Sequence, residues 1–231
     1  MCRFSGRKNR SYRVASMMIK IGKYSLFFLG LIIGWSLATV HIRLTESVGS
    51  NVVGGVNIDI GYAQSMLVHH QQALIMASLI QGEQKSDVQE LAKRIVHAQS
   101  LEMENIKGWL AGQHAAALPL NGDLMGWMKN NRQLLNVNET LYLERCESSP
   151  LGMAGLVDSL SIKKLGDESI PRHQRELSFL QLMIEHHEGA VGMSTLPSRA
   201  ANTPFIRNLA QHVLQRQTQE TAQMRSLLET R

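Results

Sequence analysis

Between residues 59 and 80 the apolar and small side chains recur at helical spacing. With Met66 set at 0° and about 100° per residue, Tyr62, Met66, His69, His70, Ala73, Met76, Ala77 and Ile80 fall within an arc of about 120°. The two histidines flank the line through Met66 and Ala73, so both look toward the interior past a small residue. The pattern predicts a helix that begins near Asp59, whose carboxylate is placed to cap it, and ends at Gly82. A second helix follows. Ser86-Asp-Val-Gln89 is a capping-box pattern, and Leu91, Ile95, Gln99, Glu102, Met103 and Ile106 then share one face up to about Leu110.

The same pattern occurs twice. Met66, His69, His70, Ala73 and Met76 are matched by Met183, His186, His187, Ala190 and Met193, 117 positions later. Leu91-Ala92, Ile95, Gln99, Glu102 and Ile106 are matched by Leu209-Ala210, Val213, Gln217, Glu220 and Met224, 118 positions later. The change of one residue in offset falls in the connecting loop. The repeated unit is therefore a helical hairpin, at about 59–110 and 176–228. Thr203-Pro204 supplies an N-cap and a first-turn proline for the fourth long helix.

About 65 residues separate the copies. Met125-Gly-Trp-Met128 predicts a short apolar helix or packing turn, Asp158 to Leu165 a short helix ended by Gly166, and Pro171 precedes the third long helix. A crossover of this length suits two hairpins packed as a four-helix bundle with a long connection. The fold class is all-α.

Composition agrees, with helix formers dominant and aromatic content only 5%. Charge changes the picture more. The net +5 is concentrated in residues 1–23, which hold seven basic side chains and no acid, leaving 17 basic against 19 acidic beyond them. Nucleic-acid binding by the body is therefore not expected. Residues 24–40 carry no charge and would span roughly 26 Å as a helix at about 1.5 Å per residue. With Lys20 and Lys23 snorkelling, that covers a bilayer core of about 30 Å. The expected organisation is a basic cytoplasmic tail (1–23), a transmembrane signal anchor (24–40), a linker (41–57) and a bundle domain (58–231) outside the cytoplasm. A cleaved signal peptide with secretion of the domain is the alternative. Cys2 and Cys146 would then lie on opposite sides of the membrane and cannot pair, and Cys146 reads as a small buried side chain.

The chemistry lies in the doubled stretch. Thioether and imidazole together suit a soft transition metal, copper above all, with other transition metals left open. The candidate ligands are His69, His70, His186 and His187, with Met66, Met76, Met183 and Met193 as soft supplements. Glu102 and Glu220, and Gln99 and Gln217 one turn away, are ligands or acceptors that orient a ring. The plain alternatives are a methionine core stripe and histidines in a hydrogen-bonded network. Four inward histidines with two carboxylates are costly to bury for packing alone. The paired Glu-x-x-His helices of di-iron bundles are missing, and no phosphate loop or nucleophile–histidine pair is present. His97 and His212, which have no counterpart in the other copy, read as solvated and turned away from Gln99 and Glu102.

These residues resemble the domain of unknown function 305 family. The likeness rests on Met66-x-x-His69-His70-Gln-Gln-Ala73-x-x-Met76-Ala77 and Phe179-Leu-x-Leu-Met183-Ile-x-His186-His187-x-Gly-Ala190-Val-x-Met193. The two Gln-x-x-Glu helices, Trp109 and Met153-Ala-Gly-Leu156 add to it, over about residues 58–230. The resemblance implies a ferritin-like four-helix bundle on an exported or membrane-anchored bacterial protein. For function it implies little, though some members are linked to copper binding and resistance. Ser194, where the second motif usually has Ala, reads as a minor departure. The expected function is binding of a soft metal for sequestration or handover. A metal-free structural or partner-binding module and a metal-dependent redox enzyme are the alternatives, and non-enzymatic use is favoured.

Overall fold

The long helices pair as the repeat requires. In the computed structural model, which describes residues 57–82 and 86–230, α1 (Ile58–Leu79) packs on α2 (Asp87–Gly112) and α6 (Arg172–Ala200) on α7 (Pro204–Glu229). The two hairpins meet through α1 against α6 and α2 against α7. Between them the crossover forms α3 (Gly126–Lys129), α4 (Val137–Ser148) and α5 (Ser159–Leu165). The described residues are all-helical, with no strand among them. No helix among them is long and apolar enough to cross a membrane. The expected tail, anchor and most of the linker lie outside the described residues.

Helix ends follow local chemistry, with three corrections. Asn57, not Asp59, caps α1, its side chain accepting from the Asp59 amide at 2.9 Å. Asp59 is used elsewhere. Its carboxylate accepts from the Asn202 and Thr203 amides at 2.8 and 2.7 Å and so caps the turn between α6 and α7. A carboxylate that satisfies two amides across hairpins does more than one repeating a cap that Asn57 already supplies. α1 also stops at Leu79, three residues before Gly82. Ser86 caps α2 as expected, accepting from the Gln89 backbone amide, but the Gln89 side-chain amide donates to the Ile80 carbonyl at 3.0 Å instead of closing the box. Thr203, Asp158 and Gly166 stand at the expected helix ends.

Helix α4 has no counterpart among the predicted elements. Its signal is Asn136 and Glu139, which form a complete capping box. Its buried face of Glu139, Tyr142, Leu143 and Cys146 is too short to register as a period. Arg199 on α6 ties it down through Glu139 at 2.5 Å, and Cys146 is a buried free thiol.

Apolar packing forms two clusters. Met66, Met193, Tyr62, Trp127 and Ala190 belong to one, and Met76, Met183, Ala73, Phe179 and Met224 to the other. Because α1 and α6 run antiparallel, the histidines sit between these clusters on both helices. A polar layer thus divides the core.

Candidate functional site

All four predicted histidines are fully buried and come together where α1 crosses α6. The His69 and His186 ring centroids are 3.7 Å apart, and His187 stands 6.2 Å from His186. From α2, Glu102 Oε2 meets His70 Nε2 at 2.7 Å; from α7, Glu220 Oε2 meets His187 Nε2 at 2.8 Å. His186 Nε2 bonds the His69 carbonyl oxygen at 3.0 Å, which links the two helices at their crossing.

Burial holds His69 and His186 well below the ordinary imidazole value, and the neighbouring histidines add to it. His70 is pushed down to about 3, first by burial and then by the Arg216 charge, with Glu220 pulling the other way. Burial lowers His187 as well, against the opposing pull of Glu220. The rings are therefore neutral near pH 7, and the His–Glu contacts are hydrogen bonds rather than ion pairs.

Neutrality fixes the tautomers. A carboxylate or carbonyl only accepts, so His70, His187 and His186 each carry their proton on Nε2. Their Nδ1 lone pairs remain, buried and without a hydrogen-bond partner, and neither nitrogen of His69, one of which carries the ring proton, has a partner. The side-chain amides of Gln99 and Gln217, 1% exposed, also have no partner at either atom. Buried polar atoms are nearly always satisfied. Here the unpartnered ones are concentrated in one layer, which leaves free donors and acceptors for an ion or ordered water.

The arrangement fits a metal in its donors. An imidazole that donates one N–H to a carboxylate or carbonyl and presents the other nitrogen bare is the ordinary form of a metal-ligating histidine. Glu102 and Glu220 accept from the ring N–H groups of His70 and His187. Met66, Met76, Met183 and Met193 are fully buried in the apolar clusters on either side of the layer. Among the described residues no three His, Cys, Asp or Glu side chains converge as a ready-made ion site.

Three further residues shape the site and were not singled out by spacing. Arg216 forms an ion pair with the second oxygen of Glu102. The Gln72 amide clamps the crossover, donating to the Val157 carbonyl at 2.9 Å and accepting from its amide at 2.7 Å. Gly189 lets that crossover lie on α6. A Cβ there would stand 2.4 Å from the Ala154 carbonyl oxygen and 2.7 Å from Gly155 Cα. Their signal was present in the repeat, since Arg216 aligns with Ala98, and Gln72 with Gly189. His97 and His212 are exposed, as expected, yet they are not turned away from Glu102, since all three line one cleft.

Two repeated helical hairpins around a doubled His–His layer, crossed by a strap from the connecting segment, define a distinct class of bundle. The chain belongs to the DUF305 family, "Domain of unknown function (DUF305)", whose family model matches residues 59–228. The solved DUF305 protein of Streptomyces coelicolor is 27% identical, with 75% of this chain and 93% of that one covered and a TM-score of 0.62. A DUF305 fragment from Deinococcus radiodurans is 23% identical, with coverage of 77% and 99% and a TM-score of 0.57, a likeness of fold. CopM in its Cu(I)-bound form is similar more distantly, at 21% identity, coverage of 74% and 96% and a TM-score of 0.49. No curated protein matches the chain at a significant level.

Proposed function

We propose that this chain binds a soft transition metal, copper first, between α1 and α6 for sequestration or handover. The observation that carries the reading is the set of four neutral, buried imidazoles with bare nitrogens, three held by a hydrogen bond at Nε2. His69, His70, His186 and His187 would hold the ion, oriented by Glu102, Glu220 and the His69 carbonyl. The four methionines on either side supply softness that favours Cu(I) over hard cations. Bound copper would supply a polarising centre that consumes the bare lone pairs. The protein's share is to desolvate, orient and retain it. We further place the domain outside the cytoplasm on a signal anchor at residues 24–40, which rests on the charge and hydropathy of residues 1–40 alone.

A metal-free hydrogen-bonded module is the second reading. It is favoured by the chain His70–Glu102–Arg216, which is complete without an ion. Titration of the full chain with Cu(I) against a competing chelator separates the two. The wild type should take up copper and the His69, His70, His186 and His187 to Ala variant should not, with helicity checked by circular dichroism. Equal uptake by both proteins sinks the metal reading.

A further inference from the structure

An open cleft of about 480 Å³ lies between α2 and α7, bordered by His97, His212, Asn105 and Gln219. Glu102 and Arg216 line it as well. Glu102 is 8% exposed while its partner His70 is fully buried, so the cleft runs from solvent to the edge of the histidine layer. At the corresponding place in the other half, Arg94 of α2 reaches across and donates to the Gln223 side-chain oxygen of α7 at 3.1 Å. In the repeat Arg94 aligns with His212, and Gln223 with Asn105. Both of these are shorter, and they border the cleft instead of bridging it.

We infer that this cleft is the port through which a soft metal cation reaches the buried histidines, with His97 and His212 as the first contact and the Arg216–Glu102 ion pair as its gate. The inference rests on the metal-binding reading above. Two exposed imidazoles at the rim of a cleft supply borderline-soft donors in solvent, suited to catching such a cation and releasing it again. Behind them the guanidinium, always charged, repels an incoming cation and occupies one Glu102 oxygen. Displacing Arg216 into the cleft exposes a carboxylate already bonded to the His70 ring. Arg216 is 30% exposed at its side chain, so it has solvent to move into.

Loading of the full chain from a coloured Cu(I)–chelator complex, followed by the loss of colour, tests the port. Arg216→Gln keeps a hydrogen-bonding side chain but removes the charge, and should load about tenfold faster, the scale at which local fields alter association rates. The gain should shrink as salt is raised, since added ions screen the repulsion. His97→Ala/His212→Ala, both at exposed positions, should load several-fold more slowly and reach the same final copper content. A merely structural Arg216 would alter stability but leave the loading rate and its salt dependence unmoved. Wild-type rates in both variants, with copper still bound, would overturn the port and leave the metal reading standing. No uptake by the wild type would remove both.

Discussion

The two hairpins share a pattern but do not do the same work. In the first, His70 leans on a carboxylate that is also held by Arg216; in the second, His187 leans on Glu220, with Ala98 where the arginine would be. The first grips the crossover with Gln72, and the second accommodates it with Gly189. His186 is tied by its ring to the opposite helix, whereas the His69 ring is untied. The positions that match across the copies build the bundle and its polar layer. The positions that differ decide how the strap is seated, where an arginine meets a carboxylate, and which ring is left free.

Making the strap contacts alike should have the largest effect. Gly189→Ala drives a Cβ into the backbone of residues 154 and 155, where no flexible side chain can give way. Although alanine favours helix by up to about 1 kcal/mol, overpacking against backbone should cost about 3 kcal/mol or more. Gln72→Ala removes two hydrogen bonds to Val157 without a clash and should cost about 1–3 kcal/mol. Urea unfolding of both variants measures the difference. A smaller loss for Gly189→Ala than for Gln72→Ala would mean that the strap is not seated on α6.

Acid should act on both halves, but unequally. Each of the four buried histidines has a folded-state pKa below its unfolded value of about 6.5, so the unfolded chain binds more protons as pH falls below that value. Stability is therefore complete above about pH 6.5 and is lost on acidification toward the folded pKa values. For His70, held down to about 3, the loss reaches about 2 kcal/mol by pH 5. With Arg216 beside its carboxylate, His70 should also stay neutral to lower pH than His187, whose Glu220 bond opposes the shift. Ring chemical shifts followed from pH 7 downward would show the order, and reversal would remove Arg216 as the source of the asymmetry.

Neutralising the two carboxylates sharpens the same contrast. Glu102→Gln leaves Arg216 without its partner and weakens the bond to His70, for about 1–3 kcal/mol. Glu220→Gln strands no cation, and an amide oxygen can still accept from His187, so its cost should stay within about 1 kcal/mol. Equal thermal shifts for the two variants would show that the ion pair contributes nothing measurable.

Periodicity made the four long helices, their pairing and the inward face of the histidines legible, because a doubled 3.6-residue pattern has few other solutions. The carboxylates of the two Gln-x-x-Glu helices were legible as neighbours of the rings, with ligand and ring acceptor as the two uses. What escaped was tertiary in origin. Helix α4 depends on a capping box and on Arg199, not on a long apolar period. Asp59 serves a turn 143 residues away, which no local rule discloses. Arg216 reads as one more surface arginine until the facing helix puts Glu102 beside it. The differences between the copies carried this information, and matching positions concealed it.

The finest of these differences is a single hydrogen bond. Tyr62 on α1 and Ser194 on α6 share one between their hydroxyls at 2.8 Å, both fully buried. Shifted by 117 positions, Tyr62 becomes Phe179 and Ser194 aligns with Ala77, so the symmetry-related place holds a phenyl ring and a methyl group. Both places fit the same backbone, one with two hydroxyls and the other with none. Ser194 is thus no idle departure from alanine, because it satisfies a phenol that burial would otherwise leave alone. Ser194→Ala or Tyr62→Phe by itself strips a partner or the bond and should cost about 1–2 kcal/mol. Ser194→Ala with Tyr62→Phe copies the second half into the first, and should recover most of that loss because no buried hydroxyl is left unpaired. A double-mutant cycle read by urea unfolding gives the coupling directly. Simple additivity of the two losses would mean that the hydroxyls act separately and that the halves are not interchangeable at this level.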